Sequence, residues 1–92
     1  MSIEYEFTFN HSGEEELSGY LTGLPYFKKY DTENYSYIYQ RDDKKYPEAV
    51  IEIHEIGIYL NDYLTGVGRE LIGLLVEHIT GNYGEVTIDE RD

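Results

Sequence analysis

The sequence has no cysteine and no tryptophan, one methionine, two prolines, and only seven basic residues against nineteen acidic ones. Each shortage closes a class of function. Without cysteine there is no thiol nucleophile, disulfide framework or thiolate metal site. With so few bases and a pI near 4.4, nucleic acid is not expected as a direct ligand, because phosphate binding depends on Lys and Arg displacing counterions. Long apolar runs are missing too. Leu71 to Val76 is the longest, far short of the ~20 residues that a membrane span needs, so no membrane partner is expected. Met1-Ser2-Ile3-Glu4 lacks a basic start followed by an apolar run, so no secretory signal is expected and cytoplasmic residence is the default. Asn10-His11-Ser12 and Asn34-Tyr35-Ser36 match the glycosylation pattern only by chance on that reading.

What is present suits one folded α+β domain over residues 1–92. Hydrophobic residues make up 40% and charged residues 28%, both near globular averages. Ile3, Tyr5, Phe7 and Phe9 alternate with Glu4, Glu6 and Thr8, the period of a strand with one wet face. Ser12-Gly13-Glu14-Glu15 reads as a capping box opening a helix. Its apolar positions are Leu17, Leu21 and Leu24, and Gly23 and Pro25 stop it. Tyr26 to Glu33 is expected to be a loop or a single helical turn. Tyr35, Tyr37 and Tyr39 resume alternation as a second strand. Arg41 to Pro47 is a turn by composition.

A long third strand is expected over Val50 to Leu60. Ile51 and Ile53 fall on one face and Ile56, Ile58 and Leu60 on the other, a phase change that a bulge between His54 and Gly57 reconciles. Thr65-Gly66-Val67-Gly68 leads into a helix with the apolar stripe Val67, Leu71, Leu74, Leu75, His78 and Ile79. Gly81-Asn82 is expected to close it, and Glu85 to Ile88 forms the last strand. The order β-α-β-β-α-β implies a ferredoxin-like two-layer sandwich, a four-stranded antiparallel sheet with two helices on one face. The Tyr35-Tyr37-Tyr39 ladder then lies either in the core or on the uncovered sheet face, where it would form an interface.

Catalytic and metal signatures are sparse. His54-Glu55 begins like a zincin motif, but Ile58 stands where the second histidine belongs. Glu52 and His54 share a strand face as two ligands without a third. None of the serines lies in a Gly-x-Ser-x-Gly elbow. No catalytic residue, metal or cofactor is expected. His78 suits a structural role near a helix C-terminus.

Thr65-Gly66-Val67-Gly68-Arg69-Glu70-Leu71-Ile72 follows the strand Ile56 to Leu60 and precedes Val86-Thr87-Ile88. In that setting it resembles the acyl-coenzyme A loop of GNAT-type N-acetyltransferases, over residues 50–90. Tyr63 stands where that family has Arg or Gln. The resemblance implies an alternative function, a small acyl-coenzyme A-binding protein or acetyltransferase. The backbone of Leu64 to Arg69, with Thr65, Gly66, Val67, Gly68 and Arg69, would then hold a pyrophosphate. A Gly-x-Gly at a strand-to-helix junction also serves a plain tight turn.

The remaining signal is charge. Residues 1–27 hold five acids and no base, residues 28–45 four acids and five bases, and residues 46–92 ten acids and two bases, giving −12 overall. Solubility in a small domain is served by a net charge of roughly 2–8. An acidic excess steers association with basic partners, and tyrosine, present eleven times, is enriched at interface hot spots. The leading expectation is a small inhibitor, an immunity protein, antitoxin or phage-type nucleic-acid mimic, that occludes a basic site on a nucleic-acid-acting partner. Its candidate contacts are Glu14, Glu15, Glu16, Asp31, Glu33, Tyr35, Tyr37, Tyr39, Asp42, Asp43, Glu85, Asp89 and Glu90. A non-catalytic homodimer built on the open sheet is the third class.

Overall fold

A computed structural model of the chain describes residues 1–11 and 13–91. Its elements in order are β1 (Ile3–Thr8), α1 (Glu14–Thr22), β2 (Phe27–Asp31), β3 (Ser36–Tyr39), β4 (Ala49–His54), β5 (Gly57–Asp62), α2 (Val67–Tyr83) and β6 (Thr87–Arg91). The α+β class and the two helices match the sequence reading. The sheet does not have the expected four strands. Among the described residues it has six, in the order β2-β3-β4-β5-β1-β6, and every neighbouring pair is antiparallel.

Both extra strands come from breaks in alternation. The segment expected as a loop after Pro25 is β2, whose register against β3 shifts between Phe27 and Lys29. That bulge adds one residue, so Phe27 and Tyr30, three apart, both face the helices and pair with Tyr39 and Tyr37. The same extra residue hides the strand from a period-2 reading. The expected long strand is instead a hairpin, β4-β5, in which His54 pairs with Gly57 and only Glu55 and Ile56 turn the chain. A two-residue turn inverts the side-chain phase, so Ile51, Ile53, Ile58 and Leu60 share one face without a bulge. Gly57 is required there: its φ is 156°, and a Cβ would run into the Phe7 carbonyl oxygen.

β5 and β6 both run antiparallel to β1, which lies between them, so β5-α2-β6 is a split crossover. α1 bridges β1 to β2 at the far edge. Both helices cover the face bearing Phe7, Leu60, Ile51 and Tyr39, with Leu17 and Leu21 from α1 and Val67, Leu71, Leu75 and Ile79 from α2 completing the core. Each such side chain contributes roughly 1.5–3 kcal/mol on burial. Leu74, expected in the stripe, is 37% exposed. The Tyr20 hydroxyl donates to its carbonyl oxygen at 3.1 Å, and the Tyr20 ring stacks on His78 at 3.5 Å.

The tyrosine ladder divides. Tyr37 and Tyr39 belong to the core, donating to Ser18 Oγ and to the Leu21 carbonyl oxygen, each at 2.7 Å. The second bond reinforces a carbonyl at the end of α1 whose backbone partner is a long 3.4 Å bond from the Leu24 N–H. Tyr35 is exposed, at φ 53° in the β2–β3 turn.

α1 begins after Gly13, which supplies no side-chain cap; the Ser12 of the expected capping box lies outside the described residues. α2 continues through Gly81 and Asn82 to end at Gly84, whose φ of 90° breaks the helix. Thr80 and Asn82 return hydrogen bonds to the Val76 and His78 carbonyl oxygens, which holds that last turn together. Among the described residues no helix is long and apolar enough to cross a membrane.

Candidate functional site

α1 starts at the same end of the sheet as the β2–β3 turn and the close of β4. That convergence forms two adjoining grooves. One, of about 560 Å³, is lined by Glu14, Glu15, Ser18, Thr22, Tyr30 and Tyr37. The other, of about 300 Å³, shares Glu14, Tyr30 and Tyr37 and adds Asn34, Tyr35, Glu52, Ile53 and His54. Together the linings hold three glutamates, three tyrosines and one histidine, and neither includes a lysine or arginine.

Local chemistry sets each side chain. Glu14 and Glu15 stand in the first turn of α1, where the helix dipole favours anions. Tyr30 meets Tyr37 edge to face at 4.7 Å, and partial burial, reinforced by Tyr37 and Glu14, raises its hydroxyl pKa. Asp31 accepts from Asn34 Nδ2 at 2.8 Å and from the Glu33 and Asn34 backbone N–H groups at 3.0 and 3.4 Å. The Asn34 and Glu33 bonds hold the Asp31 carboxyl below its usual range. Its charge fixes the turn that presents Glu33 and Tyr35 to solvent. The His54 ring lies 3.7 Å from that of Tyr59, and the His54 carbonyl oxygen is 3.1 Å from His11 Nε2. Glu52 and His54 share the uncovered face, and among the described residues no third His, Asp or Glu joins them as a metal site.

The candidate contacts named from the sequence therefore divide by location. Glu14, Glu15, Asp31, Glu33 and Tyr35 cluster at the groove, with Glu16 nearby in the first turn of α1. Tyr37 forms part of its floor, whereas fully buried Tyr39 is closed to a partner. Asp42 and Asp43 sit at the opposite end of the sheet, in the β3–β4 loop beside Lys44 and Lys45. Glu85 precedes β6, and Asp89 and Glu90 lie on it, at the other edge from β2. Sequence reasoning missed Tyr30, Asn34 and the recognition role open to Glu52. The spacing of Phe27 and Tyr30, read as a bulged strand, was the signal available for Tyr30.

The glycine-rich start of α2 presents different chemistry. Gly66 takes φ 103° before the helix. Asp62, buried, accepts the Leu64 N–H at 2.8 Å, and its carboxylate lies so close to Gly68 that a Cβ there would strike it. Arg41 Nη2 reaches the Thr65 carbonyl oxygen at 3.4 Å. Val67 is in the core, and Arg69 is exposed. A carboxylate of the protein's own thus already faces this helix N-terminus. Comparison with protein-family models, curated proteins and solved structures finds no match.

Proposed function

We propose that this chain is a small acidic protein-binding inhibitor, acting as immunity proteins, antitoxins and nucleic-acid mimics do, which occludes a Lys- and Arg-rich site on a partner. The carrying observation is the groove at the start of α1, where Glu14 and Glu15 stand beside Tyr30, Tyr35 and Tyr37 and Glu52 lines the adjoining hollow from the uncovered sheet face, with no base among the lining residues. A guanidinium entering it meets carboxylates for charge-assisted hydrogen bonds and aromatic rings for cation–π contact. The net charge of −12 adds long-range attraction to a basic surface. The acyl-coenzyme A alternative has less support, since Asp62 faces the helix start that a pyrophosphate would need.

The test compares three baits in extract of the native cell: the natural chain, a Glu14→Lys/Glu15→Lys/Glu52→Lys variant, and a Glu85→Lys/Asp89→Lys/Glu90→Lys variant. All are first checked for fold by circular dichroism. A partner rich in Lys and Arg should bind the first and third, be lost by the second, and dissociate as salt rises. Equal capture by all three, or binding indifferent to salt, would overturn the proposal.

A further inference from the structure

The two edges of the sheet are built differently. β2 has the devices that block edge-to-edge pairing, a bulge and two exposed lysines, Lys28 and Lys29. β6 has neither. It pairs with β1 in unbroken register from Thr87 to Arg91, and all five of its residues are exposed. Alternate residues of an edge strand direct their N–H and C=O groups outward, where another strand can take them.

The charges on this edge select the occupant. Asp89 stands directly across from Glu6, a like-charge pair that costs stability. Arg91 is turned to Glu6, Glu4 and the Tyr59 hydroxyl, and among the described residues no hydrogen bond or ion pair reaches the Asp89 carboxylate. A second copy adding antiparallel at β6 in a register centred on these residues would bring Asp89 or Glu90 against its own counterpart, or the two against each other. A strand with Lys or Arg would instead relieve the Glu6–Asp89 repulsion on one face and set an apolar residue beside Ile88, which is 40% exposed, on the other.

We propose that the free edge of β6 is a docking site for an extended, Lys- or Arg-bearing segment of another protein, which extends the six-stranded sheet by one strand. It lies at the opposite edge from the α1–β2 groove and stands whether or not that groove binds.

The probe is a short blocked peptide alternating arginine and valine, titrated into the labelled protein while amide exchange and chemical shifts are followed by NMR. Slowed exchange at alternate residues of Thr87 to Arg91 is expected. A peptide of the same sequence, N-methylated on alternate residues to remove the docking N–H groups, should bind at least tenfold more weakly, as should the native peptide to an Asp89→Lys/Glu90→Lys variant. Equal affinity of the methylated peptide would reduce the interaction to charge alone. Protection at the α1–β2 groove with none at β6, or no binding of the native peptide, would also overturn the proposal. So would a dimer of the free protein that itself protects β6, because the occupant would then be a second copy.

Discussion

Glu48 is the most consequential ionised group in the fold. Only 2% of its side chain is exposed, and Arg41 grips it from both main and side chain: the Arg41 backbone N–H donates at 2.8 Å, Nε at 3.1 and 3.2 Å, and Nη2 at 2.5 Å. These Arg41 hydrogen bonds take the Glu48 carboxyl from 4.5 down to about 2, against the opposing effect of burial. At ~1.4 kcal/mol for each tenfold change in proton affinity, the displacement bounds the stabilisation at roughly 3.5 kcal/mol. The Arg41 side chain is 39% exposed, and solvent screening brings the figure to ~2 kcal/mol. That is a sizeable share of the ~5–14 kcal/mol expected of a chain this long. The sign follows from the direction. Because the folded value lies below the unfolded one, the stabilisation is complete above pH 4.5 and is lost as the pH falls towards 2. Arg41→Met should therefore destabilise by ~2 kcal/mol at pH 7 and leave a buried carboxylate that prefers its proton. The deficit should shrink on acidification, and Arg41→Met/Glu48→Gln should recover part of it at pH 7. Urea unfolding followed by circular dichroism from pH 7 to pH 3 measures this. A deficit unchanged across that range would mean that Arg41 acts through packing alone and would refute the reasoning.

Gly57→Ala should cost ~3 kcal/mol or more, since the new Cβ strikes the Phe7 carbonyl oxygen across β1 and β5; a melting temperature lowered by ~10 °C or more is the readout. Tyr39→Phe should cost ~1 kcal/mol by removing the buried hydroxyl bond to the Leu21 carbonyl oxygen, which keeps only a long bond from the Leu24 N–H. Burial raises the Tyr39 pKa above 10, so its contribution is complete below pH 10 and lost above it, and the variant should show a shallower alkaline decline in urea titrations. Gly68→Ala should destabilise through Asp62, whose buried carboxylate blocks the Cβ. Adding Asp62→Ala should give less than the sum of the two single losses in a double-mutant cycle.

What could be read from the sequence followed period. Ile3, Tyr5 and Phe7, and Val67, Leu71, Leu75 and Ile79, keep strict spacing through elements that bury one face, and those elements stand as expected. Period misleads where the chain changes phase. Glu55-Ile56 forms a two-residue hairpin turn without the Asn-Gly or Asp-Gly signal, so β4 and β5 look like one bulged strand. The bulge after Phe27 does the opposite and dissolves a real strand into apparent loop. Position in space was less legible still. Glu14 and Tyr35 lie far apart in sequence yet border one groove, because α1 carries the chain across the sheet to its far edge. Asp42 and Asp43, close to Tyr39 in sequence, end up at the opposite end of the sheet.

The groove charges differ in how far the fold explains them. Glu14 and Glu15 have a structural use at the helix N-terminus, roughly 0.3–1 kcal/mol each. Asp31 is consumed by its turn. Glu52 has no such account: it lies half-buried on the uncovered face across from Ser36 and Tyr59, and no hydrogen bond or ion pair among the described residues reaches its carboxylate. In a chain of net charge −12, a half-buried carboxylate without a cationic partner adds to the repulsion among the acidic groups. Glu52→Gln should therefore stabilise the free protein by several tenths of a kcal/mol at low salt, a gain that shrinks as added salt screens the natural chain, while it weakens capture of any basic partner of the kind proposed above. Loss of stability in Glu52→Gln would show that the carboxylate serves the fold, and the groove would lose the residue that best separates recognition from architecture.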